Sequence, residues 1–358
     1  MTDYSVFGWN DFFAEQWQNQ AAPEWFRGRI AAEHNGVYEV WTADAAGSAL
    51  LPGRLRQELT EAELPATGDW VALDAPPHPD RPAMIQRVLT RRTVFLRGAA
   101  GRKSQAQCVA ANVDLVFVVC GLDEDFNLRR IERYLTRIRA GAARPIVVLN
   151  KADLDDQAAS RVAETSARCP GVEILAVSAL TGSGLEAVRA KLLPGTTAAL
   201  VGSSGAGKST LVNALLGEEL MPTSEVRTRD HRGCHTTTHR QLILLPGGGL
   251  LLDTPGMREL QLLDEKGLDE TFADIEEIAR GCRFADCRHD TEPGCAVKAA
   301  LDDGSLDAER FDHYLALRHE AMVNERRHNV HQQRQAERTF SKMATQVLKH
   351  HRPKRSGR

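Results

Sequence analysis

The stretch Gly202-Ser203-Ser204-Gly205-Ala206-Gly207-Lys208-Ser209-Thr210 decides the fold. It follows the apolar run Ala198–Val201, read as a strand. It precedes Ser209–Leu216, read as a helix. Strand, Gly-x4-Gly-Lys-Ser and helix together form the context a phosphate-binding loop requires. The glycines let backbone N–H groups converge on phosphate oxygens, and the helix N-terminus adds a partial positive charge. Lys208 places a cation between β- and γ-phosphates as binding and catalytic group, and Ser209 supplies a hydroxyl to Mg²⁺. The alternative, a chance Gly-rich turn, does not account for the Lys-Ser pair in that place.

Working outward, Asn150-Lys151-Ala152-Asp153 and Ser178-Ala179-Leu180 come before this loop, and Asp253-Thr254-Pro255-Gly256 comes after it. GTP-binding proteins ordinarily carry these pieces with the phosphate loop first, so the order here is circularly permuted. Asp153 selects guanine: a carboxylate has only acceptors, which suit N1–H and the N2 amine. Adenine offers no such donor pair and would leave the carboxylate unpaired. Asn150 can brace the loop, the Lys151 stem can cover the base, and backbone N–H groups of Ser178-Ala179-Leu180 can reach O6. The bland alternative for Asn-Lys-x-Asp is a strand-to-helix turn with Asp153 as a cap.

Asp253 is expected to hold Mg²⁺ through water, and Gly256 to offer its N–H to the γ-phosphate. Met257 stands where many GTPases carry a Gln that orients the attacking water, so slow intrinsic hydrolysis accelerated by a partner is expected. Cys234-His235-Thr236-Thr237-Thr238 occupies the position of a nucleotide-sensing switch. One of Thr236, Thr237 and Thr238 can complete the Mg²⁺ shell. His235 is the nearest candidate for a catalytic role in orienting water, or else it packs or contacts phosphate.

Cys282-x4-Cys287-x-His289-x5-Cys295 offers three thiols and one imidazole, a closed S₃N set suited to one structural Zn²⁺. A disulfide or unrelated thiols are the rival readings, and a cytoplasmic location, the default here, argues against the disulfide.

The flanks differ from the centre. Residues 1 to 28 show no clear period; Trp9, Phe12, Phe13, Trp17, Trp25 and Phe26 could dock as a helix or wrap a neighbour. From about 28 to 96, short β-rich runs such as Val37–Trp41, Asp69–Leu73 and Thr93–Leu96, with Gly/Pro punctuation, predict a small all-β barrel, with an OB-like barrel as one candidate. From Asn112 onward, apolar runs alternate with helical segments and predict a mainly parallel α/β sheet. Leu242–Leu245 and Leu250–Leu252 read as a hairpin. The resulting division is an N-terminal region over 1–100, a permuted P-loop domain over 101–262, and a zinc-binding helical region over 263–358.

No run of the sequence is long and apolar enough for a membrane span, and the N-terminus does not read as a secretory signal. The net charge of −3 hides an asymmetry. From Arg326 to Arg358 ten Lys/Arg face one acid, Glu337, leaving about −12 on the body. A basic tail on an acidic body suits an anionic partner such as nucleic acid, or is simply a solvated, frayed end.

These residues resemble the ribosome small-subunit-dependent GTPase A family, the bacterial circularly permuted GTPases, over nearly the whole length. The resemblance rests on the permuted order, Gly202–Thr210, His235–Thr238, Asp253–Gly256 and the Cys282/Cys287/His289/Cys295 set. It implies an N-terminal OB barrel, a central α/β P-loop GTPase domain, a C-terminal zinc domain, and GTP or GDP with Mg²⁺. It further implies binding to the small ribosomal subunit and its rRNA, with turnover stimulated by that subunit during late maturation; the chain itself is expected to be a monomer. The alternatives kept open are a permuted GTPase acting on another RNA or the large subunit, and an RNA-binding protein for which GTP is a structural ligand.

Overall fold

The computed structural model describes residues 3–78, 80–98, 106–218, 241–253 and 267–326. One continuous sheet runs through two architectures, in the order β10-β9-β8-β11-β13-β12-β1-β2-β3-β5-β4. Its first half comprises β8 (Leu115–Gly121), β9 (Arg144–Asn150), β10 (Glu173–Ala176), β11 (Thr197–Val201), β12 (Gln241–Leu244) and β13 (Leu250–Asp253). The pairings β8–β9, β9–β10, β8–β11 and β11–β13 are parallel. β12–β13 is the antiparallel hairpin the sequence indicates.

Parallel strands are covered on both faces, which is why they read as unbroken apolar runs. Alternate residues of β8 show the split: Val116, Val118 and Cys120 enter one core with α3 (Leu128–Ala140), and Leu115, Phe117 and Val119 enter the other with α5 (Leu185–Arg189) and α6 (Lys208–Leu216). α4 (Ala158–Arg168) joins the first face through Val162.

The second half closes on itself. β1 (Phe26–His34), β2 (Val37–Trp41), β3 (Ala46–Leu50), β4 (Trp70–Leu73) and β5 (Ala83–Val88) follow the order β1-β2-β3-β5-β4, and β4 returns to β1. β3–β5 is the one parallel pairing within this five-stranded barrel. Ile30, Val40, Ala49, Val71, Leu73 and Ile85 fill it, and the short α2 (Gly53–Glu58) follows β3. The barrel expectation holds, with one strand reassigned. Thr93–Leu96 is not a barrel stave: β6 (Val94–Gly98) pairs with β7 (Ala106–Ala111) in a separate ribbon packed on Ala66. Periodicity could not separate the two, because a strand's alternation does not name its partner.

The aperiodic N-terminus docks as a helix. α1 (Asp11–Gln20) buries Phe13 against Trp70, and Tyr4, Trp9 and Trp17 pack around them. The Arg27 guanidinium lies 4.9 Å from the Trp9 ring and 5.3 Å from that of Trp17. Arg29, wholly buried, fastens three parts together. It donates to Phe7 O, to Asn112 O (3.2 Å) and to Thr197 Oγ1 (2.9 Å) at the head of β11. Burial pushes its pKa down to about 9, although Asp69 opposes the shift. Among the described residues, the register pair Ala32 with Gln241 joins barrel to central sheet.

The C-terminal region is helical, as expected: α7 (Leu268–Thr271), α8 (Ala273–Ala279), α9 (Ala296–Asp302) and α10 over 308–326. Its own core gathers Leu268, Phe272, Ile275, Val297, Phe311 and Leu317.

This unit grips α3. Glu132, fully buried on α3, accepts from Arg168 (2.7 Å), from Arg310, and pairs with His313 Nδ1 at 2.7 Å. Arg310 also forks onto Asp274 at 2.8 and 2.7 Å. Arg129 with Glu309 and Arg137 with Glu320 extend the same interface. Burial alone would raise the Glu132 carboxyl, but the His313 hydrogen bond and the Arg310 and Arg168 charges hold it below the ordinary carboxylate range. Its folded pKa is depressed, so its stabilisation is complete above about pH 4.3 and fades as pH falls through the lower folded value. Glu132→Ala leaves buried cations uncompensated, and about 3 kcal/mol of stability is expected to be lost. Hydrogen exchange checks this: protection should fall across 267–326 before it falls in β8 or β9.

Candidate functional site

In parallel α/β sheets, ligands sit beyond the carboxyl ends of the strands. Here β8, β9, β10 and β11 end side by side, and the segments the sequence singles out leave from those ends. The phosphate loop leaves β11. Gly202 (φ 149°) runs so close to β8 that a Cβ there would stand 2.1 Å from Val119 O. Gly207 (φ 86°) caps α6, and a Cβ there would stand 2.3 Å from Asn150 Nδ2. Neither place admits a side chain. Ser204 and Gly205 lie exposed at the turn, Ala206 is buried beneath it, and Lys208, Ser209 and Thr210 form the first turn of α6. Lys208 Nζ donates to Gly202 O (2.9 Å) and to Ser203 O, so the ammonium is held against the loop itself.

Asn150 is the brace the sequence suggests. It is 2 % exposed; its Nδ2 donates to Ala206 O (3.0 Å), and its Oδ1 accepts from Ala179 N–H (3.0 Å). One side chain thus ties the phosphate loop to the 178–180 segment. After it, Lys151 takes a left-handed backbone (φ 64°, ψ 34°) and opens a 3-10 turn, Ala152–Leu154, on which Asp153 is exposed. Ala152 N–H is bound to Val177 O (3.0 Å), pinning that turn to the end of β10. Ser178 N–H is spent on Ser183 O (2.9 Å), and Ala179 N–H on Asn150. Of the three N–H groups expected to reach a guanine O6, Ser178 and Ala179 are therefore committed to shaping the loop.

Asp253 closes β13 opposite Gln241. His235, Thr236, Thr237, Thr238 and Gly256 lie outside the described residues, as does the basic tail.

Sequence reasoning missed one segment of this site. Between β8 and α3, Asp123 Oδ2 binds Lys151 Nζ at 2.6 Å, and Asp125 accepts the Ser203 hydroxyl. Burial would raise the Asp123 carboxyl, but the Lys151 ammonium and the Asp125 N–H hold it low. The signal was available: Asp123-Glu124-Asp125 follows a buried parallel strand, at the edge where ligands bind.

The four residues expected to ligate a metal do converge. Ligand atoms of Cys282, Cys287, His289 and Cys295 all lie within 4.8 Å of one another. Tetrahedral Zn²⁺ with ordinary bond lengths would set sulfurs about 3.8 Å apart and sulfur from nitrogen about 3.5 Å. The distances are 3.9 Å for Cys282–Cys295, 3.6 Å for Cys282–His289 Nδ1 and 3.4 Å for His289 Nδ1–Cys295. All three cysteines are free thiols, so the disulfide alternative is not taken up. His289 reaches this place through a left-handed backbone (φ 62°), and its ring meets Phe311 edge-on at 6.1 Å. Cys295 also caps α9, accepting from Lys298 N–H. A bound metal would therefore fasten the loop to the helical core.

Known proteins match this arrangement. The RsgA GTPase family profile matches residues 88–263. A curated "Small ribosomal subunit biogenesis GTPase RsgA" from Opitutus terrae is 47% identical over 333 residues, 90% of this chain and 91% of that protein. One of the same description from Xylella fastidiosa (strain M23) is 48% identical over 297 residues, 82% and 87% of the two chains. Among solved structures, YjeQ from Thermotoga maritima aligns with a TM-score of 0.61 and 27% identity, covering 83% of this chain and 99% of that one. YloQ, described as a circularly permuted GTPase, aligns at 0.58 and 26%, covering 85% and 97%.

Proposed function

The chain belongs to the RsgA family of GTP hydrolases, and from that premise we propose that it matures the small ribosomal subunit by a GTPase cycle the subunit itself accelerates. The observation that carries the reading is the Asn150 bridge, which ties the phosphate loop to both guanine-side segments at one sheet edge.

In this proposal Gly202–Thr210 cradles the phosphates, with Lys208 as the cation between them and Ser209 and Asp253 as the protein groups for Mg²⁺. Asn150, Lys151, Ala152, Asp153, Ser178 and Ala179 form the base side. Asp153 reads the guanine donors, and the N–H of Leu180 meets O6, since Ser178 and Ala179 N–H groups are engaged. One of Thr236, Thr237 and Thr238 completes the Mg²⁺ shell, and Gly256 offers its N–H to the γ-phosphate. Cys282, Cys287, His289 and Cys295 hold one Zn²⁺ that shapes the C-terminal region without taking part in the chemistry. The working units are residues 1–100, 101–262 and 263–358, acting as a monomer in the cytoplasm on ribosomal RNA. Among the described residues, no helix is long and apolar enough to cross a membrane.

Purified chain is expected to turn over GTP slowly alone, faster with small subunits, and no faster with large subunits or free RNA. Equal stimulation by all three would favour the broader reading of an RNA-activated GTPase. Within that assay, His235→Ala is expected to lower the stimulated single-turnover rate by about 10²-fold, the scale of a lost proton-transfer group. An unchanged rate would remove His235 from the chemistry.

A further inference from the structure

Three glycines of the phosphate loop, Gly202, Gly205 and Gly207, have positive φ. Such a backbone has many states to lose, so its order must be imposed from outside. Asn150 holds one flank, through Ala206 O. The other flank is held from the 123–127 segment. Asp125 accepts the Ser203 hydroxyl, and Arg130 on α3 pairs with the same carboxylate. Arg130 matters here, because a bare carboxylate beside a phosphate site would repel the ligand. The segment is itself rigid: Asp125 N–H donates to Asp123 Oδ1 (3.1 Å), Phe126 N–H to Asp123 O (3.0 Å), and Asn127 caps α3 through Arg130 N–H (2.9 Å). Two residues before Asp125, Asp123 holds Lys151, so one short stretch touches both the phosphate side and the base side.

We propose that Asp125, screened by Arg130, is a positioning residue that pre-orders the phosphate loop through the Ser203 hydroxyl, so that the loop's N–H groups already converge when nucleotide arrives. The proposal rests on the GTP-binding reading above. It follows that removing the contact costs affinity, because the ordering must then be done at binding.

The test compares Ser203→Ala, Asp125→Ala and the double variant for the dissociation constant and off-rate of fluorescent GDP. Each single substitution is expected to weaken binding about tenfold, the consequence of losing one charge-assisted hydrogen bond net of solvent competition. The double variant is expected to lose no more than Asp125→Ala alone, since that substitution already removes the contact with Ser203. Asp125→Asn keeps an acceptor oxygen and should recover part of the loss, which a merely structural role would not give. Hydrogen exchange at 202–207 in nucleotide-free chain should quicken in both single variants. Additive losses in the double variant, or an unchanged off-rate in Ser203→Ala, would overturn the proposal. Should Asp125→Ala fail to fold, Ser203→Ala decides alone, because it removes only one hydroxyl. Failure of the unaltered chain to bind GDP is a separate outcome and would sink the functional reading instead.

Discussion

Asp153→Asn is expected to weaken GTP binding by about two orders of magnitude and to transfer the preference to xanthosine triphosphate. On the proposed reading, the carboxylate accepts from both N1–H and the N2 amine of guanine. An asparagine sets its own NH₂ against that amine, two donors facing each other. Xanthine replaces the amine with a carbonyl, which the new NH₂ can serve. Asp153 is exposed on its 3-10 turn, so the substitution disturbs little of the fold. Competition binding with guanosine, adenosine and xanthosine triphosphates reads the outcome. If the variant still prefers guanosine, base selection lies elsewhere and the role given to residues 150–153 is wrong.

Metal removal should have the largest effect on stability. Structural zinc in small domains contributes on the order of 10 kcal/mol of apparent folding energy. Here it would join a loop of few apolar contacts to a small core built on Phe272, Val297 and Phe311. A strong chelator, or Cys287→Ala, is expected to release one zinc per chain and abolish hydrogen-exchange protection over 267–302. Guanine nucleotide binding should survive, since the nucleotide segments stand on the two separate cores flanking β8. Metal analysis of chain purified without added zinc supplies the control: no zinc and a fully protected C-terminal region would refute a structural metal.

How much of this was legible beforehand follows from the physics of each part. Local signals survived best. Gly202 and Gly207 are dictated by close approach and positive φ, and both stand in a motif whose spacing is its own evidence. The strands β8, β9 and β11 announced themselves because burial on both faces leaves no polar alternation. The cysteines and His289 converge as their residue types suggested, although the spacing could not show that the left-handed backbone at His289 delivers Nδ1. Non-local facts were not legible. Val94–Gly98 reads as a strand whichever partner it takes. Glu132 reads as one acid on an amphipathic helix, and only the fold brings Arg168, Arg310 and His313 to it from elsewhere in the chain. The engagement of Ala179 N–H was hidden for the same reason: its acceptor, Asn150, lies in a different motif.

The pairing of Ala32 with Gln241 sets the barrel's first strand beside the hairpin that ends at Asp253. By sequence the barrel precedes the half that carries Asn150 and Asp153. In space its first strand borders β12, whose first residue lies three positions after Thr238, at most about 10 Å of extended chain. If Thr236–Thr238 sense the γ-phosphate as proposed, they stand next in sequence to a strand that pairs with the barrel wall.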